Sequence, residues 1–156
     1  MNPAITPTTR PNAADLLAAH GVRATGARLS VLTCLLHAPQ AMSHLELQQA
    51  LPEMDRVTLY RALDCLSLAG IAHKIAGDDR VFRYGTAEAR AHEPQHYSHS
   101  HFKCTRCKRV FCLDDSQQAS ALHQQLQASV AHALLSGFQT HDIELNIKGW
   151  CAACVN

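Results

Sequence analysis

Cys104, Cys107, Cys151 and Cys154 form the pattern C-x-x-C…C-x-x-C. A two-residue gap lets both thiolates of a knuckle reach one ion, and two knuckles complete a closed tetrahedral zinc site. The pairs lie farther apart than in a compact zinc finger, so the chain between them must fold to bring them together. The ion would then clasp a domain. A second set begins in "HSHFKCTRC", where His99 and His101 stand two apart and project from one face of a strand, while Cys104 has the other parity. With the knuckle cysteines committed to each other, these imidazoles are left for a separate site. Further donors are at hand in Cys112 on the returning strand, His92 or His96 upstream, and His73 farther back. Imidazole and thiolate suit zinc, whereas iron(II) and manganese sites more often recruit carboxylates. His73 also shares parity with Ile71 and Ile75, which fits a core histidine equally well.

One pattern points elsewhere. "HEPQH", His92 to His96, matches the H-E-x-x-H of zinc proteases, but that chemistry needs both histidines on one face of a continuous helix. Pro94 breaks the ladder between them. With no general base beside an open metal position, the chain reads as a non-enzyme; a zinc enzyme and a zinc-ribbon interaction module are the rivals from other classes. Cys34 and Cys65 fall inside helical stretches and read as small core residues.

Composition limits the context in which such sites would work. The 156 residues suffice for one compact domain or two small ones. Seven cysteines, an odd number, argue for metal ligation or buried thiols over a disulfide framework, and eleven histidines reinforce this. No apolar run reaches membrane length, and "MNPAITPTTRPNAAD" lacks the charged start and apolar centre of a signal peptide. The expectation is a cytoplasmic chain with a disordered tail over residues 1–12. A net charge of +1 gives no broad pull on nucleic acid, so any DNA contact must rest on a few placed arginines, repeated by dimerisation.

The elements that must position these groups change period once. "AADLLAAHG" ends on Gly21, "TGARLSVLTCLLHAP" opens on Thr25 as N-cap and stops at Pro39, and "SHLELQQALP" carries Ser43 and Glu46 at capping-box spacing. A fourth helix from Asp55 stripes Leu59, Leu63 and Leu66 along one side up to Gly70, with Arg61 pointing away from the stripe. Alternation at Ile71, His73 and Ile75, the turn "GDD" and the return "RVFRY" predict a β-hairpin. Short helices followed by a hairpin indicate a winged helix-turn-helix over residues 13–84, then a hinge over 85–98. Residues 99–156 read as a small α+β unit: two strands joined through the first knuckle, a helix with Leu122, Leu126, Val130 and Leu134 at i+4 spacing, and a strand alternating Ile143, Leu145 and Ile147. Its helix and sheet edge cannot be fully covered within one chain, which predicts a dimer.

The order of "VTLYRALDCLSLAGIAHKI", a hinge, "HSHFKCTRCKRVFCL" and "GWCAACVN" resembles the ferric uptake regulator family over essentially the whole chain after the tail. The wing "AHKI" and terminal "CAACV" look most like its zinc-sensing branch, the regulators of zinc uptake. The resemblance implies an α+β protein with an N-terminal winged-helix domain and a C-terminal α/β dimerisation domain. It further implies a homodimeric repressor with two zinc ions per chain that binds palindromic operator DNA when its hinge site is filled. The four-cysteine zinc would be structural and the hinge zinc regulatory, held by His73, His99, His101 and Cys112, with His96 the alternative to Cys112. Tyr60 and Arg61 would read bases, Arg23 and Arg28 would hold phosphates, and Arg56 and Thr58 would assist. Iron-sensing members carry a histidine before the third helix and an acid in the second wing strand, where this chain has Ala41 and Arg83. That departure counts against iron sensing, and an iron- or peroxide-responsive regulator is kept as the rival within the family. The cysteine that some zinc sensors place after the wing is replaced by Tyr84 or Gly85, and a further family site is absent, its positions holding Ser98, Ser100, Ala119 and Ile143.

Overall fold

Four helices open the chain, each with a cap that its own sequence supplies. In the computed structural model, which describes residues 12–86, 100–113, 117–134, 138 and 143–155, α1 (Ala13–Ala19) starts where the Asn12 side chain accepts from Ala14 N. It ends at Gly21, whose φ of 64° is the left-handed turn that a glycine takes without strain. Thr25 caps α2 (Gly26–His37). Ser43 and Glu46 close both halves of a capping box on α3 (His44–Ala50), at 3.2 and 2.7 Å. Asp55 caps α4 (Arg56–Leu68), which stops before Gly70 at φ 71°.

The predicted stripe of α4 is the core. Leu59, Leu63 and Leu66 are fully buried against Leu17, Val31, Leu32 and Leu47 from the other three helices. Each such side chain contributes roughly 1.5–3 kcal/mol through removal from water. Ile71 and Tyr84 close this core from the wing. There β2 (Ala72–Ala76) and β3 (Phe82–Thr86) pair antiparallel, with His73 opposite Gly85. A strand that the sequence does not announce, β1 (Met42–Ser43), adds to the other side of β3, giving the order β1-β3-β2. Two residues are too few to show a period. The wing strand also runs to Thr86, two residues past the expected boundary at 84, so Gly85 belongs to the sheet.

The second sheet has the order β5-β4-β6. β4 (Ser100–Cys104) and β5 (Val110–Leu113) form the antiparallel hairpin around the first knuckle, with His101 directly opposite Cys112. β6 (Leu145–Gly149) lies parallel to β4, which demands a long connection, and α5 (Gln117–Ala133) lies within it. A final turn of helix, α6 (Ala152–Val155), follows Cys151. Along α5, Leu126 and Val130 are half-buried while Leu122 and Leu134 are exposed, so this chain alone does not cover the predicted apolar stripe.

The two sheets meet edge to edge. Ala41 N donates to Val110 O at 2.8 Å, and Ala41, Ile75 and Val110 form a small buried cluster with Cys112 packed on it. Lys103 Nζ donates to Ala76 O at 2.9 Å, and Lys148 pairs with Asp78 at 2.9 Å. Of the expected tail over residues 1–12, Asn12 is the cap of α1; residues 1–11, most of the hinge, and His92, His96 and His99 lie outside the described residues.

Candidate metal centres and nucleic-acid interface

Parallel pairing of β4 with β6 brings the two knuckles side by side, because Cys104 ends one strand opposite Gly149 and Cys151 follows the other. Thr105 N donates to Gly149 O at 2.8 Å, and Lys108 adopts φ 63° to turn the first knuckle back into β5. The four sulfurs lie within 4.8 Å of one another, with Cys107 and Cys151 at 3.6 Å. A zinc–thiolate tetrahedron has an edge of about 3.8 Å, so these residues fit the ion and are too far apart to be disulfide-bonded. Burial pushes the Cys104 thiol up, but backbone N–H groups of Cys107, Cys151 and Arg106 outweigh it and bring the group down to about 6. Cys154 is pushed up to about 12, first by its hydrogen bond to Cys151, then by burial and by the other thiols. Four thiolates cannot share this space without a cation. Arg106 braces the second knuckle, stacking over Trp150 at 4.1 Å and donating to Cys154 O at 2.6 Å.

A second convergence lies where the sheets meet. His73 from β2 and His101 from β4 face each other at 3.1 Å between Nε2 atoms, and Cys112 Sγ lies 3.4 Å from His73 Nε2. Tetrahedral zinc would separate two imidazole nitrogens by about 3.3 Å and nitrogen from sulfur by about 3.5 Å. One N–H···N bond would satisfy the imidazole pair. A thiol aimed at the same point makes three converging donors, which is what a cation needs. His101 is 2% exposed, and its Nδ1 lies 3.6 Å from Glu144 Oε1, close enough for that carboxylate to orient the ring but too long for a hydrogen bond.

His73, His101 and Cys112 are thus brought together from both domains, while His99 and His96 lie outside the described residues. The parity ambiguity at His73 resolves by packing: Ile71 and Ile75 are 1% exposed, whereas His73 is half-buried with its ring turned towards His101. Ala41 is buried apolar packing, and Arg83 is drawn to Asp79 by paired bonds of 2.9 and 2.7 Å, so neither supplies a donor. Sequence reasoning missed Glu144, which reaches His101 only through the parallel strand register.

On α4, Tyr60, Arg61 and Arg56 are exposed, as is Arg23 in the turn before α2. Arg28 Nη1 donates to Arg23 O at 2.8 Å and so fixes that turn. Thr58 is half-buried, and its hydroxyl donates to Asp55 at 2.6 Å, which commits it to the helix cap. His44, also missed, stacks on Tyr60 with ring centroids 3.8 Å apart and 18° between planes. Burial, and secondarily Arg56, push its pKa down. No signal in the sequence links residues 44 and 60; the contact comes from how α3 meets α4.

The family model described as "Ferric uptake regulator family" matches residues 19–148. The chain belongs to that family. Its members are transcription regulators, so the N-terminal helices and wing are the DNA-binding domain and the second sheet belongs to the dimerisation domain of a metal-responsive regulator. A zinc uptake regulator solved with zinc and DNA is 28% identical, covering 92% of this chain and 90% of its own, with a TM-score of 0.62. A holo structure named XcZur is 29% identical, covers 91% and 97%, and has a TM-score of 0.57. The ferric uptake regulator from Pseudomonas aeruginosa with manganese shares the fold at 21% identity, covering 90% and 98% with a TM-score of 0.60. No curated protein sequence matches the chain. Among the described residues no helix is long and apolar enough to cross a membrane.

Proposed function

We propose that the protein is a zinc-responsive transcriptional repressor that binds palindromic operator DNA as a cytoplasmic homodimer and controls zinc uptake genes. The observation that carries this reading is the donor set at the sheet junction: two imidazoles and a thiol, with no carboxylate among the three. That chemistry favours zinc over iron(II) or manganese. Cys104, Cys107, Cys151 and Cys154 hold a structural zinc, and His73, His101 and Cys112 hold a regulatory one, with His99 the fourth donor and His96 the alternative to Cys112. A zinc ion at the junction supplies a cross-link between the wing and the C-terminal sheet.

The chain's own residues do the rest. His73 ties the wing, and through the shared core α4, to the body that pairs with a second copy. Tyr60 and Arg61 then face successive major-groove surfaces of the operator, with Arg23, Arg28 and Arg56 on its backbone. The half-covered stripe of α5 supports pairing of two chains. Operator affinity measured against buffered free zinc, with iron and manganese as controls and metal content determined in parallel, tests the reading. Two zinc ions per chain and DNA binding that rises with free zinc are expected. Equal response to iron, or a single ion per chain, would overturn it.

A further inference from the structure

Gly85 stands on β3 directly opposite His73. Its φ is not left-handed, as it is at Gly21 and Gly70, so the backbone does not require a glycine there. The space does. A β-carbon built on Gly85 would lie 2.5 Å from Cys112 Sγ and 3.3 Å from both Cε1 and Nε2 of His73. The first approach is far inside van der Waals contact. β3 cannot retreat, since it is the central strand, with Tyr84 paired to Met42 on one side and to Lys74 on the other. The sulfur would have to move, and one turn about the Cys112 side-chain bond takes it away from the imidazoles.

We propose that Gly85 is the specificity-determining position of the junction site: the missing side chain admits the Cys112 thiolate beside His73 and His101, and any larger residue there would exclude it. The soft donor, and with it the preference for zinc over harder cations, therefore depends on a residue that ligates nothing. This rests on the reading that the three donors hold a metal. A glycine serving only close packing would leave the donor set unchanged on substitution, and that difference is measurable.

The test uses the full-length protein with zinc in its four-cysteine site and cobalt(II) titrated into the second. Sulfur-to-cobalt charge-transfer absorption reports a bound thiolate, and competition with a chromophoric chelator gives affinity. In the unaltered protein the second equivalent should carry the band, and Cys112→Ser should abolish it. Gly85→Ala should also lose the band and bind about 10–100-fold more weakly, while Gly85→Ala with Cys112→Ser should be no weaker than Cys112→Ser alone. Gly85→Cys combined with Cys112→Ala should regain the band, because the new sulfur grows from a β-carbon 2.5 Å from the old sulfur's place.

Gly85→Ala retaining full band and affinity, or losses that simply add, would overturn the proposal. If Gly85→Ala fails to fold by circular dichroism, the Gly85→Cys, Cys112→Ala pair decides: a regained band supports the proposal and an absent one refutes it. A band that survives Cys112→Ser, or no second cobalt at all in the unaltered protein, would instead defeat the metal reading on which the proposal stands.

Discussion

Replacing His73 by alanine should uncouple metal from DNA while leaving both domains folded. His101 and Cys112 are cross-strand partners on one hairpin and persist as a pair whatever the wing does. His73 is the one donor of the three that comes from the DNA-binding domain, reaching them at 3.1 and 3.4 Å. It is half-buried on a strand whose core contacts are made by its neighbours Ile71 and Ile75, so truncation leaves the packing intact. Losing a direct donor should weaken zinc at the junction by at least the about 10–100-fold that loss of an outer-shell partner costs, roughly 1.4–2.7 kcal/mol or more at about 1.36 kcal/mol per decade. The coupling is the sharper quantity. Zinc and DNA, if linked, should change each other's affinity by one common factor, typically about 5–150-fold, and that factor should fall to one in His73→Ala. Fluorescence anisotropy of a selected palindromic duplex with and without saturating buffered zinc gives one side of the cycle. Zinc competition with and without the duplex gives the other. A variant that still gains the full factor on zinc saturation would refute the argument that the wing is tied through this imidazole.

Other consequences are open to simpler experiments. Arg61→Ala should cost about 1–3 kcal/mol in operator binding and relax preference at one base position, read by affinities across a set of point-changed duplexes; a small uniform loss would assign Arg61 to the backbone instead. Cys151→Ser should lower zinc content by one ion per chain and remove several kcal/mol from the unfolding of the second sheet, while helical circular dichroism from residues 13–68 persists. Asp79→Asn should destabilise the wing by about 1–2 kcal/mol at neutral pH, because Arg83, whose side chain is 11% exposed, loses its partner. The hydrogen bonds from Arg83 hold the Asp79 carboxyl well below its usual range. Its contribution is therefore complete above the unfolded carboxyl's value near 4 and shrinks as pH falls below that, so the difference between the two proteins in denaturant should narrow towards acid.

Most of the DNA-binding domain was legible because its signals are local. Caps at Thr25, Ser43 and Asp55, glycines at 21 and 70, and the leucine stripe of α4 each need only a few neighbouring residues to be recognised. The four-cysteine cluster was legible for another reason: an ion's coordination dictates the spacing within each knuckle, so the pattern survives any length of chain between them. What escaped depends on register between distant segments. β1 exists only because Met42 meets Tyr84. Likewise Glu144 approaches His101, and His44 covers Tyr60, through placements that no periodicity encodes. Gly85 was noted for the cysteine it replaces, but the sulfur it makes room for arrives from another sheet.

Lys148 with Asp78 and Lys103 with the Ala76 carbonyl span the same gap as the three donors, and they do so with protein atoms alone. The ammonium–carboxylate pair is solvent-accessible, 55% and 38% exposed, and so weakens as electrolyte screens it. On the proposed reading, these contacts would give the docked arrangement some occupancy without metal, leaving a junction ion only the remainder to gain. Lower ionic strength would then favour metal-free docking and narrow the proposed metal response, and higher ionic strength would weaken that docking and widen the response.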